Sequence, residues 1–187
     1  PVAPIEVFFG SLVIVFALIG VVRGFLRELG VTTLMLIVLL ALFLLEPLLE
    51  QGIARVVASA ADGTQGTTAE TIQTWFFVLV ILGAAFISYA GETLAFRGER
   101  LYGVLGLVLG LLTGAVNGYL IAGSVWYYLD RWDYALPFLG FSVEGLSGTA
   151  QSLVAYLPLN LLGQPLLLGQ SWLFYLAVAL IIARVIR

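Results

Sequence analysis

The chain of 187 residues contains no cysteine, no histidine and no lysine, and charged residues make up only 10% of it. Without histidine or cysteine it offers no imidazole or thiolate to zinc, haem, copper or an iron–sulfur cluster. No disulfide, histidine-based triad or cysteine nucleophile is available. The lack of lysine removes a lysine-dependent phosphate loop and a Schiff base. A net charge of −3 with no basic run argues against nucleic acid. No catalytic, metal-binding or cofactor-binding residue is therefore assigned, and the expectation is a protein that is not an enzyme.

What remains is apolar. Hydrophobic residues supply 61% of the chain, far more than a water-soluble fold of this size can cover, and soluble domains carry roughly 25% charged residues. The sequence reads as an all-α integral membrane protein. A spanning helix needs about 17–25 mainly apolar residues, and the sequence offers four good candidates and one shorter one: residues 5–22, 29–45, 75–90, 101–129 and 166–183. Arg23 ends the first, Glu46-Pro47 the second, and Asp130-Arg131 the fourth. Pro165 stands at a first helical position before the fifth.

The arginines test that count. With the N-terminus outside, Arg23, Arg27, Arg97, Arg100, Arg184 and Arg187 lie inside, and only Arg55 and Arg131 outside. The inner segments then carry +3 and the outer ones −6, which recovers the net −3. This positive-inside asymmetry predicts N-out and C-in. Trp75, Trp126, Trp132 and Trp172 all fall toward the outer face, as an interfacial aromatic belt would place them. No positive region precedes the first apolar run, so a cleaved signal peptide is not expected.

Between the second and third spans, Leu49, Ile53, Val56, Val57 and Ala60 share one helical face, and Glu50, Gln51, Arg55 and Ser59 the other. The pattern predicts an outer amphipathic interfacial helix, or equally one packed on the outer ends of the bundle. Residues 61–66 read as a turn-rich tip, and Thr67 with Glu70 has capping-box spacing for the third helix. Residues 138–164 mix Gly, Ser and Thr with an apolar run that Pro158 interrupts, which reads as an interfacial or re-entrant segment.

The span interiors hold no ionisable side chain in this reading, which counts against proton relays and ion-coupled transport. Gly106, Gly110, Gly114 and Gly118 recur every four residues in the fourth span. Such a stripe lets backbones approach closely, within the bundle, in a homodimer or against a partner. Asn117 and Thr113 stand ready to bond across helices. The first inner loop, Arg23-Gly24-Phe25-Leu26-Arg27-Glu28, must reverse the chain and make the first two spans an antiparallel hairpin. Its arginines, with Arg97 and Arg100, form a basic cluster at the lipid phosphates that either fixes topology or, with Glu28, docks a cytoplasmic partner.

This hairpin resembles that of the CvpA (colicin V production protein) family. An acidic residue near the start and an apolar run precede Gly-x-x-Arg-Gly-Phe-x-Arg-Glu, which stands here as Glu6, Gly20, Arg23, Gly24, Phe25, Arg27 and Glu28. Arg100 before a glycine-rich run (Gly103, Gly106, Gly110, Gly114) resembles the opening of the family's last shared helix. The likeness covers roughly residues 4–130, and Thr113 stands where the family often has a basic residue before glycine. It implies a division into a four-helix CvpA-like module, residues 1–130, and an added outer segment with a fifth span, residues 131–187.

The resemblance further implies a multi-pass protein of the bacterial inner membrane, supporting envelope or secretion processes through helix–helix and protein–protein contacts. The expected partners are the lipid bilayer and a membrane protein or second copy. A bound lipid or carotenoid also suits such helices. An accessory or assembly subunit of a respiratory or photosynthetic complex and a passive oligomeric channel are the competing readings.

Overall fold

The computed structural model describes residues 4–60, 65–91, 96, 98 and 101–186. Four helices are long and apolar enough to cross a membrane: α1 (Ile5–Arg23), α2 (Phe25–Ala60), α3 (Gln65–Ala90) and α4 (Gly103–Arg131). Two short helices, α5 (Gly148–Val154) and α6 (Pro158–Leu162), are followed by a small hairpin of β1 (Pro165–Leu167) and β2 (Gln170–Ser171). The chain closes with α7 (Trp172–Val185).

The α1–α2 reversal takes a single residue. Gly24 adopts φ 87°, a left-handed conformation that L side chains rarely accept, and its N–H bonds the carbonyl of Gly20 at 2.9 Å. α1 then lies antiparallel along α4, with Phe9 beside Trp126 at one end and Gly20 against Gly110 at the other. α2 runs parallel to α4, because Thr32 meets Asn117 and Glu46 meets Arg131 at equal strides along both helices. The first two helices are thus antiparallel in direction, as the hairpin reading expects, but each takes α4 as its main partner. α3 returns antiparallel to α2, with Gln73 bonding the Glu50 carbonyl and Tyr89 reaching Glu28. The core between these helices centres on Met35, Leu39, Phe77, Ile81 and Tyr128, into which α7 inserts Leu173 and Ala177.

Several sequence expectations are corrected. The second helix does not stop at Glu46-Pro47. It continues through Pro47 for 36 residues, about 54 Å of axis, against a hydrocarbon core of about 30 Å. Proline forfeits one helical hydrogen bond without obliging the helix to end, and here Glu46 and Glu50 on either side are both tied to Arg131 of α4. The amphipathic stretch is therefore the far end of α2. Val57 is buried, whereas Val56, placed on the same face, is 69% exposed.

α3 begins at Gln65, so Thr67 lies inside the helix rather than capping it. Residues 61–64 of the expected tip lie outside the described residues. Pro165 is in a strand, not at a helix start. α7 has only 14 residues, with Ser171 capping it through a bond from the Phe174 N–H. At about 21 Å, it is shorter than the hydrocarbon core and crosses it only where the bilayer thins locally. Of the four tryptophans, Trp75 and Trp172 are exposed, but Trp126 and Trp132 are core residues.

The segment after α4 folds back against the bundle. Ser147 caps α5 and also bonds Glu6 at the start of α1. The chain descends to Tyr156, whose carbonyl accepts from the Tyr119 hydroxyl at 2.6 Å. Tyr119 is twelve positions before Arg131, about 18 Å along the axis. The ascending α6 sets Pro158 against Gly123 and Gly163 against Phe43. A short helical hairpin thus enters and leaves on the same end of the bundle.

A Cβ added at Gly110 would stand 2.6 Å from the Gly20 carbonyl oxygen, and at Gly118 2.8 Å from Val13 Cα. Alanine at Gly110 should therefore cost about 1–3 kcal/mol through overpacking. At Gly83, where a Cβ would meet nothing within 4 Å among the described residues, alanine should stabilise by about 0.5–1 kcal/mol. Unfolding in mixed micelles measures both, and equal effects would contradict the packing described.

Candidate functional site: a buried polar junction of four helices

Glu28 stands in the first turn of α2, inside the helix rather than in a loop, and is completely buried. The sequence reading has Glu28 bounding the second span from the loop; the helix starts three residues earlier and takes it in. In a low-dielectric interior an unpaired carboxylate is strongly disfavoured, and the neighbours answer that requirement. Asn117 of α4 donates through Nδ2 to Glu28 Oε2 at 2.8 Å and to the Glu28 backbone carbonyl at 3.0 Å. The Tyr89 hydroxyl of α3 donates to the same Oε2 at 2.9 Å. Arg23 of α1 brings Nη1 to 3.3 Å from Oε1. That contact is misaligned for a hydrogen bond, so charge attraction holds it.

A second shell of bonds orients these groups. Thr32, one helical turn beyond Glu28, donates to Asn117 Oδ1 at 2.7 Å and lies 3.1 Å from the Glu28 carbonyl. The Arg23 guanidinium sits 4.5 Å from the centre of the Tyr89 ring, a cation–π contact, and reaches the Ser88 carbonyl at 3.5 Å. Residues from all four long helices therefore meet at one carboxylate.

The singled-out residues separate into three groups. Arg23, Glu28 and Asn117 come together in this junction, with Gly24 beside it making the turn and the half-buried Phe25 opening α2. Gly110, Gly114 and Gly118 face α1: a Cβ on Gly114 would collide with the Phe16 carbonyl, and Gly114 lies against Gly20 and Ala17. Gly106 instead abuts the Leu101 carbonyl of its own segment. Arg27 is exposed, whereas Arg97 and Arg100 lie outside the described residues. The basic cluster is thus divided, since Arg23 turns inward. Thr113 bonds the Leu109 carbonyl of its own helix rather than crossing to another.

Sequence reading missed Tyr89, Ser88 and Thr32. Thr32 carried a signal, four residues after Glu28 and hence on its helical face. Tyr89 carried none, because only the return of α3 brings it to the α1–α2 turn.

At the opposite end, Arg131 Nε meets Glu46 Oε1 at 3.0 Å and Nη2 meets Glu50 Oε1 at 3.4 Å. Nearby, Trp126 donates to the Tyr134 hydroxyl, which donates to Asp130. Burial above all pushes the Tyr134 phenol above its ordinary range. Among the described residues no group of three or more acidic, histidine or cysteine side chains is placed to hold a metal ion. The junction's chemistry is that of a fixed, internally neutralised ion pair.

Replacing Glu28 with alanine leaves Arg23 facing a buried gap and should cost about 3–5 kcal/mol. Removing Arg23 as well should cost less than the two single losses together, with a coupling of about 1–3 kcal/mol. A double-mutant cycle by unfolding in mixed micelles measures this, and additive losses would contradict the pairing.

Compared with protein-family models, curated proteins and solved structures, the chain matches none.

Proposed function

We propose that this chain is a CvpA-type protein of the bacterial inner membrane, N-out and C-in, that acts without enzymatic chemistry through contacts with other membrane proteins in envelope or secretion processes. The observation that carries this reading is the reversal at Gly24. The hairpin residues on which the resemblance rests, Arg23, Gly24 and Glu28, make the turn and meet at the buried carboxylate, while the glycines of α4 admit α1 at close range.

Contact-based action draws support from α1 itself. One narrow face is used against α4, and Val7, Ile14, Val15, Leu18 and Val22 remain 48–74% exposed. Such a face is covered by acyl chains or by another helix. Purification of the chain in a mild detergent, followed by mass spectrometry, should yield a stoichiometric membrane-protein companion or a second copy. Replacing Ile14 and Leu18 with alanine should release it. A chain that purifies alone removes the contact-based reading.

Orientation has a separate test, for which the lack of cysteine provides a clean background. Thr149→Cys in the segment after α4 should be labelled by an impermeant maleimide from outside the cell. Ile186→Cys, 79% exposed at the chain's end, should be labelled only after the inner face is opened. Labelling of both from one side would refute the N-out and C-in arrangement.

A further inference from the structure

Two hollows adjoin at the end of the bundle that carries Pro4 and Ile5. One, about 330 Å³, is apolar and walled by Phe8, Leu12, Ala122, Val125 and Leu139 among others. Phe8 and Leu12 on its rim are 51% and 43% exposed, so it opens on the exposed side of α1. The second, about 320 Å³, is lined by Pro4, Glu6, Gly140, Ser142, Gly145 and Ser147. Ile5 and Phe141 line both. The pair forms one groove, polar toward the chain's start and apolar along α1, with a combined volume in the range of small-molecule sites.

The polar half has an unmet requirement. Glu6 lines this hollow; its Oε1 accepts from the Ser147 hydroxyl, whereas its Oε2 has no hydrogen-bond partner among the described residues. An enclosed acceptor without a donor is costly, and a cationic donor entering this hollow would relieve it. We propose that the groove binds one bilayer phospholipid with a primary-amine headgroup, its ammonium on Glu6 and an acyl chain against Phe8 and Leu12.

Charge complementarity selects this occupant. An anionic headgroup meets the Glu6 carboxylate with repulsion. A quaternary ammonium carries the right charge but has no N–H to give Oε2. A protonated primary amine supplies both. The site goes beyond the contact-based function and does not depend on it, because the groove lies within one chain.

Native mass spectrometry of the full chain, in mild detergent with equal amounts of phosphatidylethanolamine, phosphatidylcholine and phosphatidylglycerol of identical acyl chains, tests it. The ethanolamine lipid should be retained over the other two by about tenfold, the weight of one charge-assisted hydrogen bond. Mono-, di- and trimethylation of the amine should erode that preference stepwise in the unaltered protein. Glu6→Gln should bring the ethanolamine lipid down to the choline level, and Leu12→Trp should lower all three alike. Equal retention of the three lipids, a preference for the glycerol lipid, or indifference to methylation would overturn the proposal. The methylation series needs no variant, so misfolding of either substitution does not shield it.

Discussion

A carboxylate with no access to water is the constraint around which the four long helices are arranged. Glu28 is affordable in an apolar interior only if its charge is matched and its oxygens receive donors. Each partner comes from a different element: the charge of Arg23 from α1, and the donors Tyr89 from α3 and Asn117 from α4. Sliding any one helix by a residue, about 1.5 Å along its axis, would break its bond to this point. Apolar side chains alone do not set register so sharply in a membrane, because lipid is as good a neighbour as leucine. The junction supplies the register that hydrophobic contact cannot.

The glycines act on the same geometry from another direction. Gly20, Gly110 and Gly114 let the α1 and α4 backbones touch, which shortens the reach that Arg23 needs at the end of α1. Gly24 then turns the chain within one residue and delivers Glu28 one turn into α2. Bulk at the glycines would lift α1 from α4 and pull the guanidinium from its carboxylate. Close packing and charge pairing are therefore two requirements on one helix position.

Much of this was legible in the sequence, for physical reasons that also mark its limits. Long apolar runs and the single-residue freedom of Gly24 are local properties, so the four long helices and the reversal could be read directly. Boundaries set by tertiary partners could not. Glu46-Pro47 looks like a stop because a charge and a missing N–H are locally unfavourable, yet Arg131, distant in sequence, neutralises that charge. Trp126 looks like a belt residue until Tyr134 folds back to accept its N–H. The apolar run 166–183 suggests a span, but the turn at Leu168 and Gly169, both at positive φ, uses its first third in a hairpin. Of the junction, Arg23 and Glu28 were visible as a motif, whereas Tyr89 depends wholly on how α3 returns.

The hairpin of α5 and α6 obeys the same rule as the junction, applied to backbone. A chain that turns back between helices exposes carbonyls, and in an apolar setting each needs a donor. Tyr119 supplies one to Tyr156, and Asn160 supplies another to Val154 at 2.7 Å. With those two satisfied, the segment can turn and come back beside Gly123 and Phe43. Its polar return requires that Ser147 sit at the top of α1, where it binds only one oxygen of Glu6. Glu28 thus has a guanidinium 3.3 Å from Oε1 and two donors on Oε2, whereas Glu6 Oε2 has no hydrogen-bond partner among the described residues. That contrast separates a carboxylate that holds the bundle together from one with capacity to receive a ligand.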